Sequence, residues 1–255
     1  MLIAPLYLRK WFGAKPTGVL HVGAHEAEEF EAYRRAKFGP TIWVEAQAEL
    51  LPRIREVIEG TDDVLLEAVA WSESGKEFNF QITSETQSSS LYGLAEHLVE
   101  YPQIKTTEER KVTTTRLDEV ISQEARFDFV TLDIQGAELE ALKGMGNLIS
   151  KVRWIFTEVN RREMYAGIPL VEELDDFLSK QGFERVVTLW NPAGWGDALY
   201  AKSPKSHLEK IRFAVASKWA VANFLTREFV LRSRKKGRKL RRRLYRFVDR
   251  LRGLG

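Results

Sequence analysis

From Thr17 to Lys202, short β-branched runs alternate with polar, helix-favouring stretches, the pattern of a mainly parallel sheet covered by helices. TGVLHVGA at 17–24 reads as the first strand and EAEEFEAYRRAKF at 26–38 as the helix after it, stopped by Gly39-Pro40. TIWVEA at 41–46 and DVLLEAVAW at 63–71 are the next strands, separated by a helix near 48–59. KEFNFQI at 76–82 alternates as a half-exposed strand does. Strand patterns return in RKVTTTRL (110–117), FDFVTLDI (127–134), VRWIFTEV (152–159), FERVVTLW (183–190) and GDALYAK (196–202). Between the runs at 152–159 and 183–190, Leu170, Leu174, Phe177 and Leu178 share one helical face, and Gly182 ends that helix.

Two stretches depart from this rhythm. The segment 83–105 is long and polar, with a serine-rich start, the signature of a functional lid or of disorder. Beyond residue 204 the pattern predicts two helices divided near Gly237. In the second, Leu240, Leu244, Phe247 and Leu251 form a stripe while Arg241, Arg242, Arg243, Arg246 and Arg250 crowd the rest. The most apolar piece of this tail, 213–225, carries Lys218 and is too short for a bilayer core of about 30 Å. Residues 1–16 lack the pattern of an export signal and read as a short leader. The expected organisation is therefore a leader at 1–16, an α/β domain at 17–204 and a basic helical tail at 205–255.

Composition sharpens this division. The 255 residues include no cysteine, which excludes disulfides, thiolate metal sites and a cysteine nucleophile; together with the lack of an export signal, this favours the cytoplasm. The net charge of +3 is an average over unlike parts. Lys and Arg number 22 against 33 Asp and Glu over residues 1–204, but 17 against 3 over 205–255.

In open α/β sheets, ligands bind beyond the carboxyl ends of the strands near the switch point, so the residues that follow each strand carry the chemistry. After the first strand come Gly23, Ala24, His25 and Glu26, a small turn that lets a ligand approach the backbone. After the second come Glu45 and Ala46, the former about 20 residues beyond that turn, where a carboxylate can take both hydroxyls of a ribose. After the third come Ala68 and Val69, small enough to lie against a flat heterocycle. The three-glycine dinucleotide fingerprint is missing, and Glu26, Glu28 and Glu29 would repel a diphosphate; a nucleoside bearing positive charge suits the turn better. Asp133 follows the apolar run FDFVTL, and Glu158 follows the next strand. Such carboxylates can act as a general base, hold an ammonium or ligate a divalent cation; no metal ligand is assigned.

With these residues assembled, the chain resembles the FkbM family of S-adenosylmethionine-dependent methyltransferases. The resemblance rests on VLHVGAHEAEE (19–29), WVEA (43–46), EAVAWSESG (67–75), QSSSL (87–91), LDIQGAELEAL (132–142), TEVN (157–160) and GWGDALY (194–200). It implies a class I, Rossmann-like fold with a seven-stranded, mostly parallel sheet, here with a C-terminal helical extension. It further implies S-adenosyl-L-methionine as cofactor: Gly23, Ala24, His25 and Glu26 at its turn, Glu45 and Ala46 at the ribose, Ala68 and Val69 about the adenine, and Asp133 beside the methyl donor. Asp133 is the first candidate for base or positioning residue and Glu158 the second. Ser88, Ser89, Ser90, His97, Trp195 and Asp197 are the substrate-side candidates. His21 and His25 in the first motif, and Gln135 where Glu is common in the fourth, depart from the family's usual pattern.

The expected reaction is O-methylation of a sugar, glycan or small hydroxyl compound. A nucleic-acid methyltransferase is the rival, disfavoured because Asp133-Ile134-Gln135-Gly136 stands where an Asp/Asn-Pro-Pro-aromatic motif would be. A scaffold protein acting through its tail is the other. For the tail, an anionic membrane surface ranks first, which would place the protein at the inner face of the membrane, then nucleic acid; docking on a neighbouring copy, as in a homo-oligomer, is also weighed.

Overall fold

The buried runs of the sequence become the strands of two sheets. The structure, a computed structural model, describes residues 2–95, 97–204 and 206–226. Its strands are β1 (Val19–Val22), β2 (Thr41–Glu45), β3 (Val64–Glu67), β4 (Val69–Ala70), β5 (Glu77–Thr83), β6 (Thr106–Thr115), β7 (Phe129–Leu132), β8 (Trp154–Asn160), β9 (Phe183–Trp190) and β10 (Trp195–Lys202). Among the described residues, seven of them form one sheet in the order β3-β2-β1-β7-β8-β10-β9. All neighbours are parallel except β10, which lies antiparallel between β8 and β9. The order reverses between β1 and β7, so the loops after those strands flank the switch point.

β5 and β6, whose patterns matched those of the main strands, stay out of this sheet. They pair antiparallel, with β4 added to β6, as a separate three-stranded sheet beside the cleft. The helix predicted over 26–38 forms only over Phe30–Arg35, because His25 (φ 46°) and Ala27 (φ 57°) hold the preceding residues in turns.

Alternation along the strands sends side chains to two cores. Leu20, Val22, Val130, Leu132 and Ile155 face the helices Glu138–Gly144 and Val171–Lys180. Val19, Trp43, Phe129, Trp154 and Phe156 face the other layer, which includes both terminal segments. Ile3, Leu8, Phe12 and Ala14 are buried there, and so are Phe213, Ala216 and Ala220 from the helix over 207–226. The segments flanking 17–204 thus complete its core. The arginine-rich stretch 240–251 lies outside the described residues.

Candidate active site

The loop after β1 is shaped by its neighbours. Gly23 has φ 84°, and a Cβ there would come within 2.1 Å of the Asp133 carbonyl oxygen, so the close approach of β1 and β7 requires glycine. The next amides are used to position Glu45. Its Oε2 accepts from His25 N (2.7 Å), and its Oε1 from Ala46 N (2.9 Å) and Gln47 N (2.8 Å). Burial pushes the Glu45 carboxyl up, and these amides pull back against it. Beside it runs a narrow cleft lined by Val44, Ala46, Ala68, Val69, Ala70 and Phe80. Within this mostly apolar cleft, the Gln47 Oε1 is buried and has no partner among the described residues, an acceptor suited to a ligand N–H or O–H.

Adjoining the cleft is a larger cavity of about 420 Å³. Gly23, His25, Asp133 and Gln135 line both spaces and form their shared wall. Three carboxylates from adjacent strands meet in the larger one. Asp197 on β10 sits opposite Glu158 on β8, and Asp133 follows β7, the strand on the other side of β8. Burial pushes Asp197 up to about 6, and burial with the charge of Asp133 nearby raises Glu158 well above the usual carboxylate range. Asp133 is raised too by the surrounding protein, although its carboxyl stands open to the cavity. Leu2 donates its amide to Asp197 Oδ2 (2.5 Å) and lines the same cavity.

Side-chain relays orient this wall. Tyr165 donates its hydroxyl to Gln135 Oε1 (2.6 Å), and Gln135 Nε2 donates to Asp133 Oδ1 (2.6 Å). Glutamate at position 135 could not donate that second bond when ionised. Gln135 itself is held at φ 53°. Its carbonyl accepts from Ser90 Oγ (2.7 Å). Across the cavity, His21 Nδ1 lies 3.0 Å from the Tyr33 hydroxyl, which in turn lies 2.9 Å from Thr131 Oγ1. Burial brings the His21 imidazole down to about 4, so it is neutral at physiological pH.

The polar segment after β5 lies over both spaces. His25 bridges Glu28 Oε1 and Thr86 Oγ1, each at 2.8 Å, and Gln87 Nε2 donates to Glu28 Oε1 (2.9 Å). Burial favours the neutral form of Glu28, but hydrogen bonds from His25 and Gln87 help bring it down to about 2; the Glu28 bond raises His25 in return. The stretch expected to be either lid or disorder is thus a lid, bonded to the turn it covers.

Of the cofactor-side residues read from sequence, Gly23, His25, Glu45, Ala46, Ala68, Val69 and Asp133 line the cleft. Ala24 is buried behind it, and Glu26 is exposed and lines neither space; Glu28 and Glu29 face the large cavity instead. Of the others, Glu158, Ser88, Trp195 and Asp197 line the cavity and Ser89 lines the cleft. Ser90 is buried and ties the lid to Gln135. The His97 side chain lies outside the described residues. His21, Thr131, Phe156, Met164, Tyr101 and Tyr165 also line the cavity. His21 stood out as a departure in the first motif, and the strand period puts Thr131 on the same face as its register partner; the others carried no signal.

A seven-stranded sheet with one antiparallel strand, a glycine turn after β1 and a carboxylate at the end of β2 defines a class I, Rossmann-like methyltransferase fold. Residues 21–185 match the methyltransferase FkbM domain, and the chain belongs to that family. It is 25% identical over 168 residues to the 2-O-methyltransferase NoeI of Sinorhizobium fredii, covering 62% of this chain and 69% of that protein. Solved structures with similarity include an S-adenosylmethionine-dependent methyltransferase of Clostridium acetobutylicum (9% identity, TM-score 0.46, 80% of this chain and 92% of that one). Another is the ribosomal protein L11 methylase of Lactobacillus delbrueckii subsp. bulgaricus (11%, 0.45, 80% and 77%). The cofactor is S-adenosylmethionine, and the cleft fits it: an oriented carboxylate, small apolar walls and an unused buried acceptor suit an adenosine, and the acidic cavity suits its cationic end.

Proposed function

We propose that the protein methylates a hydroxyl oxygen of a sugar, glycan or other small polyhydroxy compound. The observation that carries this reading is the wall shared by the two spaces: a nucleoside held by Glu45 and Gln47 would present its reactive end at Asp133, within the cavity that also holds Glu158 and Asp197. S-adenosylmethionine supplies, when bound, an electrophilic methyl group on a sulfonium. The residues of this chain then have to hold an acceptor hydroxyl in line and take its proton. Asp133, steadied by Gln135, is the first choice for that task, and Glu158 the second; raised proton affinity makes either a better base than a solvated carboxylate. Trp195 and Tyr101, joined by a hydrogen bond of 3.1 Å, offer an aromatic edge of the kind that packs on sugar rings. The similarity to NoeI, a 2-O-methyltransferase, points the same way.

A screen of labelled methyl transfer over free sugars, small alcohols and lipid-linked glycans tests this, with Asp133→Ala as the inactive control. Label in a base-stable ether of one acceptor is the expected result. Donor binding without transfer to any hydroxyl acceptor, or label found in RNA, would overturn it.

A further inference from the structure

The helix over 207–226 has two apolar faces. One packs on the body, with Phe213 against Phe12 and Trp154 (ring centroids 6.2 and 5.4 Å) and with Ala216 and Ala220 buried. The other carries Leu208, Ile211, Val215 and Trp219, spaced three, four and four residues apart, and it faces outward: they are 78%, 47%, 46% and 54% exposed. A helix that only caps a core has polar residues at those positions. The helical segment over residues 5–12 lies alongside, joined by Tyr7 Oη to the Ala216 carbonyl (3.1 Å) and by Arg212 Nε to the Trp11 carbonyl (2.8 Å). It has two exposed apolar side chains of its own, Leu6 and Trp11.

Charge separates this surface from the rest of the molecule. Residues 2–16 contain Arg9, Lys10 and Lys15 and no carboxylate; residues 206–226 contain Lys210, Arg212 and Lys218 against Glu209, which pairs with Arg153. The chain continues from this helix into residues 227–255, which hold 13 Lys and Arg against 2 carboxylates. Residues 17–204, in contrast, carry 19 Lys and Arg against 33 Asp and Glu. We propose that the surface built by residues 5–12 and 207–226 docks on an anionic lipid bilayer. Aliphatic and tryptophan side chains enter the headgroup boundary while the flanking cations of these two segments meet lipid phosphates. Nucleic acid would use the cations and leave the stripe in water, and a second copy docked by the same face would set cation against cation. The docking is independent of methyl transfer.

Flotation of the full chain with vesicles of phosphatidylcholine, alone or mixed with phosphatidylglycerol, tests the proposal. The expected result is binding to the mixed vesicles, weakened at high salt, and at least about tenfold weaker for Val215→Glu/Trp219→Glu, which keeps every basic residue. Both positions are exposed, so an unchanged melting temperature is expected of the variant. Equal flotation of variant and wild type would overturn the proposal in favour of the basic residues alone. Absence of wild-type flotation would overturn it too, as would a dimer in solution that the double substitution dissolves in place of vesicle binding.

Discussion

The cleft and the cavity share a wall yet are built by opposite means. Around the cleft, geometry is fixed by backbone: three amides hold Glu45, and the approach of β7 to Gly23 leaves no room for a Cβ. In the cavity, side chains from β1, β7, β8, β10 and the lid converge, and burial raises Glu158 and Asp197 there; burial raises Glu45 too, but three amides pull it back. A ligand common to a whole family can be recognised by backbone, which tolerates sequence change. An acceptor particular to one enzyme needs side chains, which do not.

The sharpest break between the two would come from Asp133→Ala, which should lower turnover by about 100-fold or more while leaving donor affinity within a few-fold. Turnover and calorimetric titration measured on one preparation check this; equal losses in both would place Asp133 in the cleft's function. Gly23→Ala should act in the other direction. Its backbone strain and clash would cost about 1–3 kcal/mol of stability and abolish donor binding, read by thermal melting and calorimetry. Glu45→Ala leaves three amides without their acceptor and should weaken donor binding by about tenfold or more, with KM for the acceptor unmoved in steady-state kinetics.

A smaller effect should follow pH. The folded protein holds Asp197 up to about 6 and Glu138 up to about 7, the latter buried while accepting from the Ile134 and Gly136 amides, with Asp133 and Glu158 raised as well. Carboxyls raised on folding bind more protons in the folded state. Their contribution to stability is therefore largest below the unfolded value near 4 and declines as pH rises through 6 and 7. The ligand-free melting temperature should fall across that range. A cationic donor favours the ionised forms, so its affinity should rise over the same interval with release of protons; isothermal titration in buffers of different ionisation heat would count them. Asp197→Asn should flatten the lower part of both curves. Least of all, Gln135→Glu should lower turnover several-fold, by replacing a donor to Asp133 with a like charge, and the loss should shrink at lower pH.

Much of the cleft was legible in sequence because its parts are local. A strand, a glycine turn and a carboxylate at the end of the next strand can be read in succession, and Gly23, Glu45, Ala68 and Val69 lie where such a reading puts them. Glu26 shows the limit. Its neighbours at φ 46° and φ 57° turn the chain so that Glu28 and Glu29, further along, reach the cavity instead. β5 and β6 were legible as strands, but alternation reports a half-buried strand and not which sheet completes it. Tyr165 and Met164 come from a connection after β8 with no pattern of its own. The apolar residues near the two ends looked unremarkable singly, and only their packing against each other gives them a shared surface.

The hydrogen bond from Leu2 to Asp197 ties the beginning of the described chain to the chemistry of the cavity. A donated amide lowers a carboxyl's proton affinity, so thermodynamic reciprocity requires that protonating Asp197 loosen Leu2 and that displacing Leu2 make Asp197 harder to ionise. A purification tag fused ahead of this residue is therefore not an inert handle. Its placement belongs among the experimental variables of any pH–rate profile, alongside buffer and ionic strength.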